Sequence, residues 1–190
     1  MNAVGILLAA GRGRRFDPLG ARNKLLQPLA SGAPVVVASA RILLSVLPRV
    51  IAVVPPQDGG VADTLSALGC EVTLCAQADS GMAASLVQAI TYSLPQADAW
   101  LVALGDMPYV APATLRALLA ALAGGADIAA PVFAGRRGNP VAFGAVHLPA
   151  LLALEGEYGA RALLKSAPVV EVAVDDPGIL RDIDTPEDLA

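Results

Sequence analysis

Val4 to Lys24 reads VGILLAAGRGRRFDPLGARNK, and the rest of the chain is organised around it. The apolar run Val4 to Ala10 has no polar residue to mark a solvated face, as expected of a strand buried on both sides of a sheet. It empties through Gly11 and Gly13 into Arg12, Arg14, Arg15, Arg22 and Lys24. Glycine lets backbone N–H groups approach a ligand with no Cβ in the way, and arginine and lysine add charge-assisted donors. Such a loop suits a polyphosphate, although a glycine turn with a solvated basic face fits the spacing equally well. The third glycine of a dinucleotide fingerprint is missing, and so is the Gly-Lys-Ser/Thr of a P-loop.

Composition narrows the class. With 190 residues and 55% hydrophobic content, the chain can bury a large core as one domain, residues 1–190, with two covered sheet faces. No run reaches the roughly 18 apolar residues needed to span a bilayer, and the positive charges follow the first apolar run where a secretory signal has them in front. Cys70 and Cys75 flank a strand-like CEVTLC with no partner set for zinc, so reduced core thiols and a cytoplasmic location are expected. Net charge is −4, yet five of the 13 basic residues fall between Arg12 and Lys24, and six of the 17 acidic ones between Asp175 and Asp188. This distribution argues against nucleic acid as a partner and for a local anion site.

Strands are expected at 49–54, 70–75, 99–104, 127–133 and 169–174. Helices are expected at 34–47, 61–68, 82–94, 112–122, 148–154 and 160–165, with 76–81 and 136–140 as loops. Pro34 and Pro112 open helices, Pro48 and Pro95 stop them, and the Thr185-Pro186 step reads as a cap followed by the first helical residue. Strand–helix alternation without linkers predicts an α/β protein: a Rossmann-like three-layer sandwich around a mostly parallel sheet. Ligands of such sheets sit beyond the carboxyl ends of the strands. Asp106 follows one such end and the basic loop another, so both should face one crevice. An acid beside a polyphosphate is repelled unless a cation joins them, and Mg²⁺, which takes one or two carboxylates plus phosphate oxygens, is the natural choice. Capping of the following turn would also explain Asp106. The single histidine, His147, lies in an apolar, helix-like stretch where a satisfied structural role is expected.

Six segments in order carry a resemblance. Leu8-Ala9-Ala10-Gly11 with Arg15 and Lys24 is similar to the LAAGxSxRMG…K signature of the molybdenum cofactor cytidylyltransferases and their guanylyltransferase relatives. Gly81-Met82-Ala83-Ala84-Ser85, Gly105-Asp106-Met107-Pro108, Gly138-Asn139-Pro140, Gly159-Ala160-Arg161 and Asp182-Ile183-Asp184-Thr185-Pro186 follow in the family's order. The resemblance implies a nucleotide-diphospho-sugar-transferase-type fold. It implies transfer of a nucleoside monophosphate from an NTP to a phosphorylated small-molecule acceptor, with pyrophosphate released. CTP and molybdopterin are the implied substrates, with transient contact to a molybdoenzyme or its chaperone. Carried over by position, Arg15, Lys24 and Asp106 are catalytic. Leu8, Ala9, Ala10, Gly11, Arg12, Gly13, Lys24, Gly81, Met82, Ser85 and Asp106 bind the nucleotide. Asn139 and Arg161 face the acceptor, and Asp106, Asp184 and Asp182 hold Mg²⁺.

The chain departs from the pattern where Gly13 replaces a hydroxyl residue, where Arg15-Phe16-Asp17 replaces Arg-Met-Gly, and where Gly156-Glu157-Tyr158 replaces Gly-Asp-x. Asn139 stands where cytidylyltransferases often carry histidine. These departures bear on the acceptor, and another acceptor such as a sugar phosphate, or a non-catalytic nucleotide-binding or cofactor-delivery module, stays open. Ala10, where guanylyl-transferring relatives tend to have glycine, and Met82 to Ser85 point to cytosine.

Overall fold

In the computed structural model, which describes residues 1–11, 13 and 15–189, eight strands form one sheet. The strands are β1 (Ala3–Leu8), β2 (Val50–Val54), β3 (Glu71–Leu74), β4 (Ala99–Leu104), β5 (Ile128–Phe133), β6 (Arg136–Arg137), β7 (Val141–Gly144) and β8 (Val170–Ala173). Six α-helices connect them: α1 (Val35–Leu44), α2 (Val61–Ala67), α3 (Met82–Ser93), α4 (Pro112–Ala123), α5 (Leu148–Leu152) and α6 (Arg161–Ser166). The order β3-β2-β1-β4 is parallel throughout, in register Ile6↔Ile51 and Ile6↔Val102.

Both faces are covered, which is why β1, β2 and β4 read as unbroken apolar runs. Leu7, Ala52 and Leu101 point to the layer of α1, α2 and α4, while Ile6, Ile51 and Trp100 point to that of α3, α5 and α6. Trp100 is fully buried because its indole N–H donates to Ser93 Oγ at 2.8 Å. The first two crossovers lie on the α1/α2 face and the third, through α3, on the other. The connection therefore reverses between β1 and β4, leaving a crevice at their carboxyl ends.

Several expectations need correction. The segment 141–144, for which the sequence pattern predicts no element, is a strand, and it is antiparallel to both β4 and β5. Four apolar residues after a proline-ended turn carry too little periodicity to distinguish a strand from a connection. The segment 136–140 is not all loop, since Arg136 and Arg137 pair with Phe133 and Val132. The 34–47 helix spans only 35–44, with Pro34 as the residue preceding it, because the N–H groups of Val46 and Leu47 both turn back to the Leu43 carbonyl and close the helix ahead of Pro48. At 185–189 the expected start is present: Pro186 opens the turn Pro186–Leu189 directly after Thr185, with Glu187 and Asp188 in its first turn, and Asp188 Oδ2 reaches back to accept from the N–H groups of Asp184 and Thr185 and from the Thr185 hydroxyl. A satisfied structural role is expected for His147, but among the described residues its buried Nε2 has no hydrogen-bond partner. Cys70 and Cys75 are buried free thiols, and burial pushes Cys70 up to about 11. Among the described residues no helix is long and apolar enough to cross a membrane.

Candidate nucleotide site

The basic loop is built on two anchors. Phe16, in place of a family methionine, is 3% exposed and sinks into the α1-side core, while the Arg22 guanidinium lies 5.4 Å over its ring. Asp17, in place of a family glycine, accepts from the backbone N–H groups of Arg22 at 2.7 Å and Leu19 at 3.0 Å. The Arg22 N–H holds its carboxyl below the ordinary value. Gly13 has φ +58°, and a Cβ there would press on Lys24 Cβ at 3.3 Å. The glycine in place of the family hydroxyl thus lets the loop close against Lys24. Asn23 caps the turn Lys24–Leu26 by accepting from Leu25 N, and donates to the Asp58 carbonyl at 2.9 Å. Arg12 and Arg14, expected as phosphate donors, lie outside the described residues.

Lys24 is the centre of the charge arrangement. Its side chain is 10% exposed, and Nζ sits 2.7 Å from Asp106 Oδ2 and 3.7 Å from Asp184 Oδ1. Arg15 Nη1 reaches the other Asp184 oxygen at 2.5 Å. The lysine ammonium thus bridges the two acids and offsets their mutual repulsion beside the basic loop.

Asp184 is delivered by the backbone: Ile183 N–H donates to the Asp106 carbonyl at 2.8 Å. Asp182, one residue before Ile183, is pushed above its ordinary value by partial burial and by Asp184, with Asp106 adding and Lys24 opposing. Three carboxylates therefore feel one another around a single ammonium. An all-oxygen donor set of mutually repelling acids fits Mg²⁺ or Mn²⁺. Among the described residues no group of three His, Cys, Asp or Glu side chains forms a ready-made cage.

Beside this cluster lies a cleft of about 410 Å³. Leu8, Ala9, Ala10, Gly11, Lys24, Gly81, Met82, Ser85 and Asp106 line it together, and Gly13 lines the adjoining hollow. The far wall depends on Gly81, whose φ is +126° and whose missing Cβ would overlap the Gly156 carbonyl and stand 2.7 Å from Glu157 Cα. Ala83 N–H donates to that same carbonyl at 3.2 Å, so the 156–159 segment is fastened to the start of α3. Glu157 and Asp79 line the cleft and were missed by the sequence reading; the only signal was their position beside the Gly-Ala-Arg and Gly-Met-Ala-Ala-Ser segments. Two expected residues stand elsewhere. Asn139 lines a separate cavity of about 10 Å³ between α1 and α4, and Arg161 is exposed at the start of α6.

Comparison with known proteins gives consistent matches. The family model described as a MobA-like NTP transferase domain matches residues 5–172. Purine catabolism protein PucB of Bacillus subtilis (strain 168) is 29% identical over 197 residues, covering 97% of this chain and 93% of that protein. The crystal structure of Rv0371c from Mycobacterium tuberculosis H37Rv superposes with TM-score 0.85 at 29% identity, covering 99% of this chain and 95% of that one. Its complex with manganese gives TM-score 0.78 at 27% identity, covering 99% and 96%. A nucleotidyl transferase from Methanothermobacter (Mth528) gives TM-score 0.79 at 28% identity, covering 98% and 93%.

Proposed function

The chain belongs to the MobA-like NTP transferase family and is a nucleotidyltransferase; from that premise we propose that it transfers CMP from CTP to a phosphate of molybdopterin and releases pyrophosphate. The observation that carries this reading is the single cleft in which Leu8 to Gly11, Lys24, Asp106 and the Gly81–Ser85 segment meet. Lys24 and the backbone of the glycine loop hold the triphosphate, and Arg15 neutralises charge on the departing pyrophosphate. The acceptor's phosphate oxygen attacks the α-phosphorus as the bond to the bridging oxygen breaks. An anionic nucleophile needs no strong general base, in keeping with a cleft that has no histidine in its lining.

Asp106 and Asp184, with Asp182, hold the divalent cation, Mg²⁺ in this reading. When bound, it supplies charge stabilisation to the phosphates. Lys24 then exchanges carboxylate partners for phosphate ones, so the ammonium keeps the acids together until the nucleotide arrives. Asn139 and Arg161 serve the acceptor from beyond the cleft. Asp106 and Asp184 converging on one lysine also favours catalysis over a delivery module, which has less use for paired acids.

Cytosine is favoured because Ala10 adds a methyl group to the cleft wall where a purine needs room, while the small side chains and backbone of the Gly81–Ser85 segment offer hydrogen bonds to the edge of a pyrimidine. One methyl is worth about 1–3 kcal/mol, or roughly 10–200-fold. Pyrophosphate release with molybdopterin as acceptor should give a higher kcat/KM for CTP than for GTP, and Ala10→Gly should narrow the gap. Equal or better use of GTP by the wild type would overturn the cytidylyl reading.

A further inference from the structure

Ser39 is out of place by composition. It lies within the helical run VVVASARILL, in a row of buried residues that includes Val35, Val36, Ala40 and Leu43, and it is itself 4% exposed. A buried hydroxyl is costly unless bonded. A helical serine can always donate to the carbonyl four residues back, and Ser39 Oγ is 3.2 Å from Val35 O. It is closer, at 3.0 Å, to the carbonyl of Gly105, which belongs to a different element.

Gly105 has few other ways to be satisfied. Its N–H donates to Leu8 O at 2.9 Å, and a Cβ there would meet Leu8 O at 3.1 Å and Ala9 Cβ at 3.4 Å, so the end of β4 lies tight on the end of β1. That approach turns the Gly105 carbonyl towards α1, where the surroundings are Leu43, Leu104, Met107 and other apolar side chains. Ser39 supplies a side-chain donor there. The next residue is Asp106, whose own carbonyl is held by Ile183 N–H. The peptide that carries Asp106 is thus fixed from three directions, by β1, by the 179–183 segment and by α1.

α1 also carries the other half of the site. The turn Lys24–Leu26 packs on it through buried Leu25, and Val35 N–H donates to Gln27 O at 3.0 Å. We propose that Ser39 is a positioning residue for nucleotidyl transfer: through Gly105 it sets Asp106 at the correct distance from the Lys24 loop, so that metal and nucleotide bind as one unit. The proposal rests on Asp106 holding the metal of the nucleotide complex.

The test measures Mn²⁺ binding by electron paramagnetic resonance in the presence of a non-hydrolysable α,β-methylene analogue of CTP or GTP, whichever the wild type binds more tightly. Ser39→Ala should weaken Mn²⁺ binding roughly 10-fold or more, the range for outer partners of metal ligands. Analogue binding without metal should stay within about twofold, since Lys24 and the glycine loop are untouched. Ser39→Thr, which keeps the hydroxyl, should recover most of the loss. If Ser39→Ala melts too low to assay, Ser39→Cys, a weak donor of similar shape, should show the same loss. Wild-type Mn²⁺ binding in the variants, or a Ser39→Thr as damaged as Ser39→Ala, would overturn the inference and leave the proposed function standing. A wild type whose nucleotide binding ignores Mn²⁺ would instead remove the metal reading that both share.

Discussion

Replacing Lys24 by methionine keeps the length of the side chain and removes its charge, leaving Asp106 and Asp184 to repel each other. At an effective dielectric constant near 20, an ammonium 2.7 Å and 3.7 Å from two carboxylates gains a gross attraction of about 6 and about 4 kcal/mol. Desolvation cancels much of this, and stripping one partner from a fully buried pair costs about 3–5 kcal/mol. Here the carboxylates are 23% and 24% exposed and Arg15 still holds Asp184. The expected loss is therefore about 1–3 kcal/mol, or a fall in Tm of roughly 2–12 °C for a chain of this size. Nucleotide affinity should drop about 10–150-fold, since one charge-assisted contact worth about 1.5–3 kcal/mol is gone. Mg²⁺ alone should restore more stability to the variant than to the wild type, because the acids are left without their ammonium. Differential scanning fluorimetry and calorimetric titration with CTP read all three effects. A Tm within about 1 °C of wild type together with unchanged CTP binding would refute the bridging role of Lys24.

Asp184→Asn should raise the Mg²⁺ concentration needed for half-maximal pyrophosphate release by at least the roughly 10–100-fold typical of losing an outer partner of a metal ligand; an unchanged metal titration would reduce Asp184 to a partner of Arg15. Gly81→Ala places a methyl group against the Gly156 carbonyl at a positive φ. Strain and the displaced 156–159 wall should cost about 2–4 kcal/mol and raise KM for nucleotide, and wild-type melting would show that the wall yields freely. Cys70, whose thiol burial pushes up to about 11 against an unfolded value of 9.0, should be about 1% ionised at pH 9, where an unfolded thiol is about half ionised. The stability this supplies is complete below pH 9 and is lost as pH rises through 11. Alkylation at pH 9 should follow the rate of unfolding; modification at the rate of a free thiol would contradict the burial.

The sequence carried the parallel half of the sheet because β1, β2 and β4 are buried on both faces, and a strand covered on both sides leaves an unbroken apolar run. It carried the cleft because ligand loops follow such strands. Nine residues spread from Leu8 to Asp106 line one wall system, as their positions at strand ends suggest. What could not be read is set by distant contacts. The Thr-Pro step marks where the last turn starts, but not that Asp188 reaches back to hold the N–H groups of Asp184 and Thr185. Among the described residues His147 Nε2 has no partner, an outcome of packing that a local apolar pattern does not encode. Glu157 enters the cleft only because Gly81 has no side chain to keep the 156–159 segment away. Strand-end positions bring Lys24 and Asp106 to one crevice, but their direct pairing depends on how closely β1 and β4 end together, which linear spacing does not report.

The antiparallel strand β7 has a consequence for how the second acid reaches the site. Were β4 and β5 neighbours, as in a plain succession of parallel crossovers, their carboxyl ends would stand about 5 Å apart; with β7 between them the spacing is about 10 Å. At that edge β7 begins, behind Gly138-Asn139-Pro140, so no crossover loop rises there to fill the width. The chain from Ile179 to Ile183 lies across it instead, taking the Asn139 N–H at one side and giving its own N–H to Asp106 at the other. Gly138 has no room for a side chain beneath this crossing, since a Cβ would overlap the Ile179 carbonyl. Pairing order, settled far from any charged group, thereby decides how many carboxylates the site possesses: a variant that let β4 and β5 zip together would shut the slot and expel Asp184 without altering a single residue of the cleft.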